Sequence, residues 1–251
     1  MSAFPLGRTR RASLISTMCA GLVAVGGVLT GCSEDPDAGT NGVGKLPPAQ
    51  IQSKTRKAAE AADSVRLSGK VVVSGRTYKL DMRLKDDGGS GSVTTKGSTF
   101  WLLRVGTHLY LKADAGFWAQ DDEAGGGQSA GAAAGKLDDK YVKVPQGDPS
   151  YKQLSGFTDK DVLLDGLLTL HGTLAQGDRS TADGVRTVEV TGDKGAGGTL
   201  AVSLEGEPYP LLLERAGNGG TLELSEWGKD FKLAEPTEKE MVDYGKQLPR
   251  S

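Results

Sequence analysis

Along most of this chain apolar and polar residues alternate one by one, and glycine breaks the alternation at short intervals. From Arg66 the period is two: Leu67, Gly69, Val71 and Val73 alternate with Arg66, Ser68, Lys70 and Val72. That period places the two sets on opposite faces of a strand. After Ser74-Gly75 it resumes, with Tyr78, Leu80, Met82 and Leu84 set against Thr77, Lys79, Asp81 and Arg83. Turn signals at Asp86-Asp87-Gly88-Gly89, Lys96-Gly97 and Gly106-Thr107 then delimit strands over 90–95, 99–105 and 108–112. Five short strands joined by tight turns predict an antiparallel meander, curved by its own twist. A further strand is predicted over 141–144, and the same grammar returns over 185–190, 199–204, 211–215 and 221–227.

Three stretches read as helix. Ile51, Ala58, Ala59, Ala62 and Val65 give a helix over 49–65 a narrow, alanine-rich face, with Lys54, Arg56, Lys57 and Glu60 toward water. Thr158-Asp159-Lys160-Asp161 resembles a capping box, with Asp in place of the usual Glu. The helix it starts carries Val162, Leu163, Leu164, Leu167, Leu168 and Leu170, which imply deep burial. A last short helix is predicted over 236–244, beginning at Pro236. Residues 121–135 are low in complexity and read as a mobile surface loop.

Residues 1–31 have the order of a targeting segment. Arg8, Arg10 and Arg11 form a basic region with no acidic residue nearby. The apolar run that follows, Leu14 to Val28, is shorter than the roughly 20 residues a spanning helix needs. It ends in Leu29-Thr30-Gly31-Cys32, which resembles the bacterial lipobox: a branched apolar residue, two small ones, then the cysteine that becomes the mature terminus. Only a thiol accepts the diacylglycerol thioether, so Cys32 is the expected lipidation site. The expected location is the outer face of a bacterial cytoplasmic membrane, held by that lipid. Thr9-Arg10-Arg11-Ala12-Ser13-Leu14 resembles a twin-arginine export signal, with Ser13 where Phe is usual, and both twin-arginine and general secretory export stay open. Residues 32–48, rich in Asp, Gly, Pro and Asn, read as a flexible tether. The part after Cys32 reaches about 55 Å when extended and about 22 Å on average as a coil. The folded domain is expected over 49–248.

Composition narrows the chemistry. Cleavage leaves 27 basic against 32 acidic residues, a net charge of −5, which gives no footprint for nucleic acid. Cys19 is discarded and Cys32 is lipidated, so no thiol remains for a disulfide, a metal or nucleophilic catalysis. His108 and His171 stand far apart in the sequence without partners at ligand spacing, and both read as structural or surface residues. Asp121-Asp122-Glu123 reads as a solvated acidic loop. Gly195-Ala196-Gly197-Gly198 is a turn, because no Lys/Ser pair and helix start follow it. No Gly-x-Ser-x-Gly stands in a strand-to-helix setting, so there is no nucleophile elbow. Trp101, Trp118 and Trp227 read mainly as core packing. No catalytic residue, metal site or cofactor is expected, and the chain reads as noncatalytic.

Several short stretches, in this order behind a lipobox, carry a family resemblance. They are Asp63-Ser64-Val65-Arg66-Leu67-Ser68-Gly69, Leu109-Tyr110-Leu111-Lys112 with Phe117-Trp118, Gly206-Glu207-Pro208-Tyr209-Pro210-Leu211, Leu224-Ser225-Glu226-Trp227-Gly228 and Ala234-Glu235-Pro236. Over about 49–244 the chain resembles the LolA-like lipoproteins of actinobacteria, of the LppX/LprG type. The resemblance implies an α+β fold: a curved antiparallel β half-barrel wrapped around a few α-helices, with an apolar cavity for acyl chains. It also implies a role in moving or presenting lipids or glycolipids across the envelope. On this reading the cavity lining includes Leu80, Met82, Leu84, Leu102, Leu109 and Leu111 from the first meander. Val188, Val202, Leu211, Leu213, Leu222 and Leu224 complete it from the second. A gap lined by such residues stays dry and accepts hydrocarbon. The same leucines also suit a completely filled core, which goes with a membrane-tethered protein-interaction or sensory module. The sequence names no protein partner.

Overall fold

The computed structural model describes residues 37–96, 98–120 and 135–242. The targeting segment, Cys32, residues 121–134 of the low-complexity stretch and Tyr244 lie outside them. The strands are β1 Ser64–Val73, β2 Arg76–Lys85, β3 Gly88–Thr95, β4 Ser98–Val105, β5 His108–Ala113 and β6 Lys140–Val144. The second series is β7 Leu174–Ala182, β8 Val185–Gly192, β9 Thr199–Ser203, β10 Pro210–Glu214, β11 Gly220–Ser225 and β12 Met241–Val242. The helices are α1 Pro48–Ala61, α2 Ala115–Gln120, α3 Pro149–Ser155 and α4 Lys160–Leu167.

All twelve strands form one curved, unclosed sheet in the order β12-β6-β5-β4-β3-β2-β1-β11-β10-β9-β8-β7. Neighbours are antiparallel except β12, which runs parallel to β6. Two meanders are therefore stitched along β1 and β11, where Leu67 faces Leu224 and Gly69 faces Leu222. Glycine permits two close approaches within the sheet. Gly69 lies in mid-strand at φ +139°, and a Cβ there would run into the carbonyl of Thr221. At Gly91 a Cβ would lie 2.7 Å from the sulfur of Met82. Strand glycines at such close approaches let a sheet curl where an ideal pleat stays flatter.

One face of most strands turns inward and is apolar, with β7 and β12 burying no residue. Leu67, Leu80, Met82, Leu102, Leu111, Leu200 and Leu222 are among its buried residues. α1 lays Ile51, Thr55 and Ala59 into this hollow, and α4 adds Leu164 and Leu167. Most of the buried hydrophobic residues form one continuous cluster, with Leu103, Tyr110 and Ala201 among those outside it. Thr55 is fully buried and its hydroxyl has no hydrogen-bond partner among the described residues. An isosteric apolar side chain removes that uncompensated group. Thr55→Val is therefore expected to raise stability by about 1 kcal/mol, read as a higher urea midpoint at unchanged slope.

The helices begin and end differently from the sequence expectation. α1 stops at Ala61 and Val65 belongs to β1. α4 is capped by Asp159, which accepts from the Val162 N–H at 3.1 Å, one residue later than Thr158. Val162 is 61% exposed, so only part of its leucine-rich face is buried. The helix expected over 236–244 is replaced within the described residues by a single 3-10 turn, Glu238–Glu240, followed by β12. Thr237 and Glu240 close a capping box around that turn. Met241 and Val242 then pair with Tyr141 and Val142 on the open side of β6. A helix of nine residues is marginal, and a free strand edge competes successfully with it. α2, α3 and β7 are additions. β7 is polar and exposed at most positions, with a bulge between Gln176 and Arg179, so it shows no alternation to detect.

The stretch read as a free tether over 32–48 is bound to the sheet from Asp37 onward. Asn41 donates from its backbone N–H to Leu204 (2.8 Å) and from its side chain to the carbonyls of Ser203 (3.0 Å) and Gly206 (3.1 Å). Arg179 pairs with Asp37 at 2.7 Å, and Arg186 donates to the carbonyls of Ala38 and Gly39. Val43 enters the core.

Candidate functional site

The concave face collects eleven of the twelve side chains expected to line a cavity. Leu80, Met82, Leu84, Leu102, Leu109 and Leu111 line it from the first meander, and Val188, Val202, Leu213, Leu222 and Leu224 from the second. Their exposures lie between 0% and 4%. α1, α4 and Leu168 thus cover them closely in this conformation. Val93, Phe100, Val190 and Leu200 share the face and follow the same alternation. Leu211 does not join them. The register slips between Pro210 and Leu212, so that Pro210 faces Val202 while Leu212 faces Ala201. This bulge buries Pro210 and Leu213 and turns Leu211 to the outer side.

A polar latch holds α4 at one rim of this hollow. Lys160 is buried to 2% exposure, and its ammonium donates to the carbonyls of Glu60 (3.1 Å) and Ala62 (2.6 Å) while pairing with Asp86 at 2.8 Å. It thus caps the carbonyl end of α1 from the first turn of α4. Arg104, at the end of β4, donates to the carbonyl of Thr158 at 2.8 Å and lies 3.6 Å from Asp159. A lysine in a capping sequence looks solvated in the sequence, and only the arrival of α1 and the β2–β3 turn buries it.

The outer face carries a groove of about 640 Å³ over β1, β11 and β10, closed on one side by the β7–β8 turn. Leu211, Leu212 and Trp227 give it apolar surface, and Arg66, Glu223 and Glu226 give it charge. Trp227 donates to the carbonyl of Pro210 at 3.1 Å and stacks on Tyr209 with centroids 4.8 Å apart. Arg66 makes two bonds of 2.9 Å to Asp81, and Arg83 holds Glu226 at 2.9 and 3.2 Å. These hydrogen-bonded guanidiniums keep the Asp81 and Glu226 carboxyls below their ordinary range.

From β11 the chain returns across the first meander to β12. Lys85 binds Asp230 (3.0 Å) and the carbonyl of Phe231 (2.8 Å), and Glu235 meets His108 at 2.5 Å. Bonds from His108 and then Tyr110 lower the Glu235 carboxyl. Burial, followed by the neighbouring Glu235, pushes the Tyr110 phenol up to about 12. His171 sits in the loop after α4, its backbone N–H bonded to Gly197. Among the described residues no three His, Cys, Asp or Glu side chains gather into a metal-holding group, and no helix is long and apolar enough to cross a membrane.

These shifts set a pH dependence at both extremes. A carboxyl with a lowered folded pKa adds stability above its unfolded value, and that stability is lost as pH falls through the folded value. A phenol with a raised pKa adds stability below its unfolded value, lost as pH rises through the folded one. Urea midpoints are expected to hold level near neutrality, to fall below pH 4.5 as Glu226, Glu235 and Asp81 protonate, and to fall again between pH 10 and 12 as Tyr110 ionises. Tyr110→Phe should flatten the alkaline limb.

No family profile matches this chain, and no curated protein does. Solved structures do match. LprF from Mycobacterium bovis is 15% identical with a TM-score of 0.48, covering 75% of this chain and 96% of that one. The Mycobacterium tuberculosis lipoprotein LppX is 16% identical with a TM-score of 0.45, covering 74% and 98%. An uncharacterized conserved protein from Thermus thermophilus is 10% identical with a TM-score of 0.33, covering 78% and 98%.

Proposed function

We propose that this protein is a noncatalytic envelope lipoprotein, anchored through Cys32 to the outer face of the cytoplasmic membrane. It binds or shuttles acyl-chain lipids or glycolipids on the concave face of its sheet. The observation that carries this reading is the face itself: an unclosed sheet, apolar across its hollow from β6 to β8, closed over by α1 and the eight-residue α4 and flanked by α3, which buries none of its residues. Energetics favour exchange over permanent occupancy. A sixteen-carbon chain gains on the order of 10 kcal/mol on burial, and displacing Leu164, Leu167 and Leu168 costs roughly 1.5–3 kcal/mol each. The two are comparable, so a chain that enters as α4 swings out is held without being trapped.

The close cover on the eleven residues favours a second reading, a tethered interaction module with a filled core. One experiment separates the two. The mature domain is made in a bacterium, denatured and extracted, and the extract is examined by mass spectrometry. Acyl lipid near one equivalent per chain is expected. Repeated extracts without lipid would overturn the lipid-carrying reading in favour of the filled core. Anchoring is checked separately: Cys32→Ala should move the protein out of the membrane fraction.

A further inference from the structure

We infer that the end of the sheet at the β7–β8 turn and the 205–209 loop rests on the headgroups of the membrane that holds the Cys32 lipid. This rests on the lipidation proposed above. The argument is one of reach. The chain is fixed to the sheet at Asp37 by Arg179 and at residues 38–41 by Arg186 and the Leu204 and Ser203 carbonyls. Only residues 32–36 separate that anchorage from the lipid, a contour of about 17 Å at full extension. A domain of this length is about 40 Å across. The leash is thus shorter than half the domain, and the opposite end of the sheet cannot turn to the bilayer.

The surface at the tethered end fits that partner. Pro208, Tyr209, Leu211, Leu212 and Trp227 lie there only partly buried. The stacked Tyr209–Trp227 pair, with its polar edges beside apolar surface, is the side-chain chemistry that settles at headgroup level. Lys229, exposed on the rim of the same groove, can meet lipid phosphates, while Arg66 beside it is held by Asp81. The groove then opens beside the bilayer.

The test uses the acylated mature protein, which has no free thiol once Cys32 carries lipid. Single cysteines are introduced by Glu207→Cys at the tethered end and by Arg76→Cys, exposed at the far end of β2. Each is labelled with a fluorophore and placed in phosphatidylethanolamine/phosphatidylglycerol vesicles bearing a headgroup quencher. The two sites lie about 30 Å apart along the strands, so quenching is expected to be about threefold or more stronger at 207 than at 76. Ten Gly/Ser residues inserted between Pro36 and Asp37 should erase the difference. An acylated protein whose two labels quench alike, or more at 76, overturns the inference alone. Membrane retention and mass unchanged by Cys32→Ala overturn the anchoring reading, and the inference with it.

Discussion

Gly69→Ala is expected to destabilise the domain by about 3 kcal/mol or more, lowering its melting temperature by on the order of 10 °C. Two costs act together. An alanine at φ +139° leaves the regions open to an L residue, and its methyl runs into the Thr221 carbonyl across the β1–β11 seam. That seam joins the two meanders, so relief by strand separation opens the core at Leu67 and Leu222. Gly166→Ala is the contrast. It sits in α4 with open space around its Cβ position and should stabilise by about 0.5–1 kcal/mol through helix propensity alone. Urea titrations of both variants check the pair. Equal, small effects would show that the β1–β11 seam tolerates a side chain at position 69.

Lys160→Ala is expected to cost about 2–4 kcal/mol, an unusual loss for a lysine. The carbonyls of Glu60 and Ala62 lose a charged donor at the C-terminal end of α1, where the helix dipole favours a cation. Asp86 is 76% exposed and returns to water at little cost, so most of the loss comes from the carbonyls and the vacated space. Lys160→Met keeps the stem and should recover about 1 kcal/mol of it. Hydrogen exchange in α4 should accelerate before exchange in β1 or β2. An equal rise throughout the domain would mean that Lys160 supports global folding and does not latch α4 in particular.

Much of this architecture is written locally. A period of two over β1 and β2 needs only neighbouring residues to declare strand and inward face, whereas β4, apolar on both faces, shows its inward side only once it pairs with β3 and β5; eleven of the twelve expected lining residues share one surface. The lipobox-like stretch and the spacing of His and Cys are equally local, and they carry the expected anchor and the noncatalytic expectation before any fold is known. What the sequence hid lies where distant segments compete. Leu211 carries the right parity, but the bulge beside it is set by Val202 and Ala201 of β9. Residues 236–242 read as helix until the edge of β6 offers them hydrogen bonds. Asp37 to Lys45 look like linker because the arginines and carbonyls that hold them come more than a hundred residues later. The hollow itself is filled because α1 and α4 settle into it, an outcome their leucines and alanines do not declare on their own. Periodicity therefore determined the faces of this protein, and tertiary contact decided what each face meets, because a strand's pleat is a property of adjacent residues whereas its partners arrive from the far end of the chain.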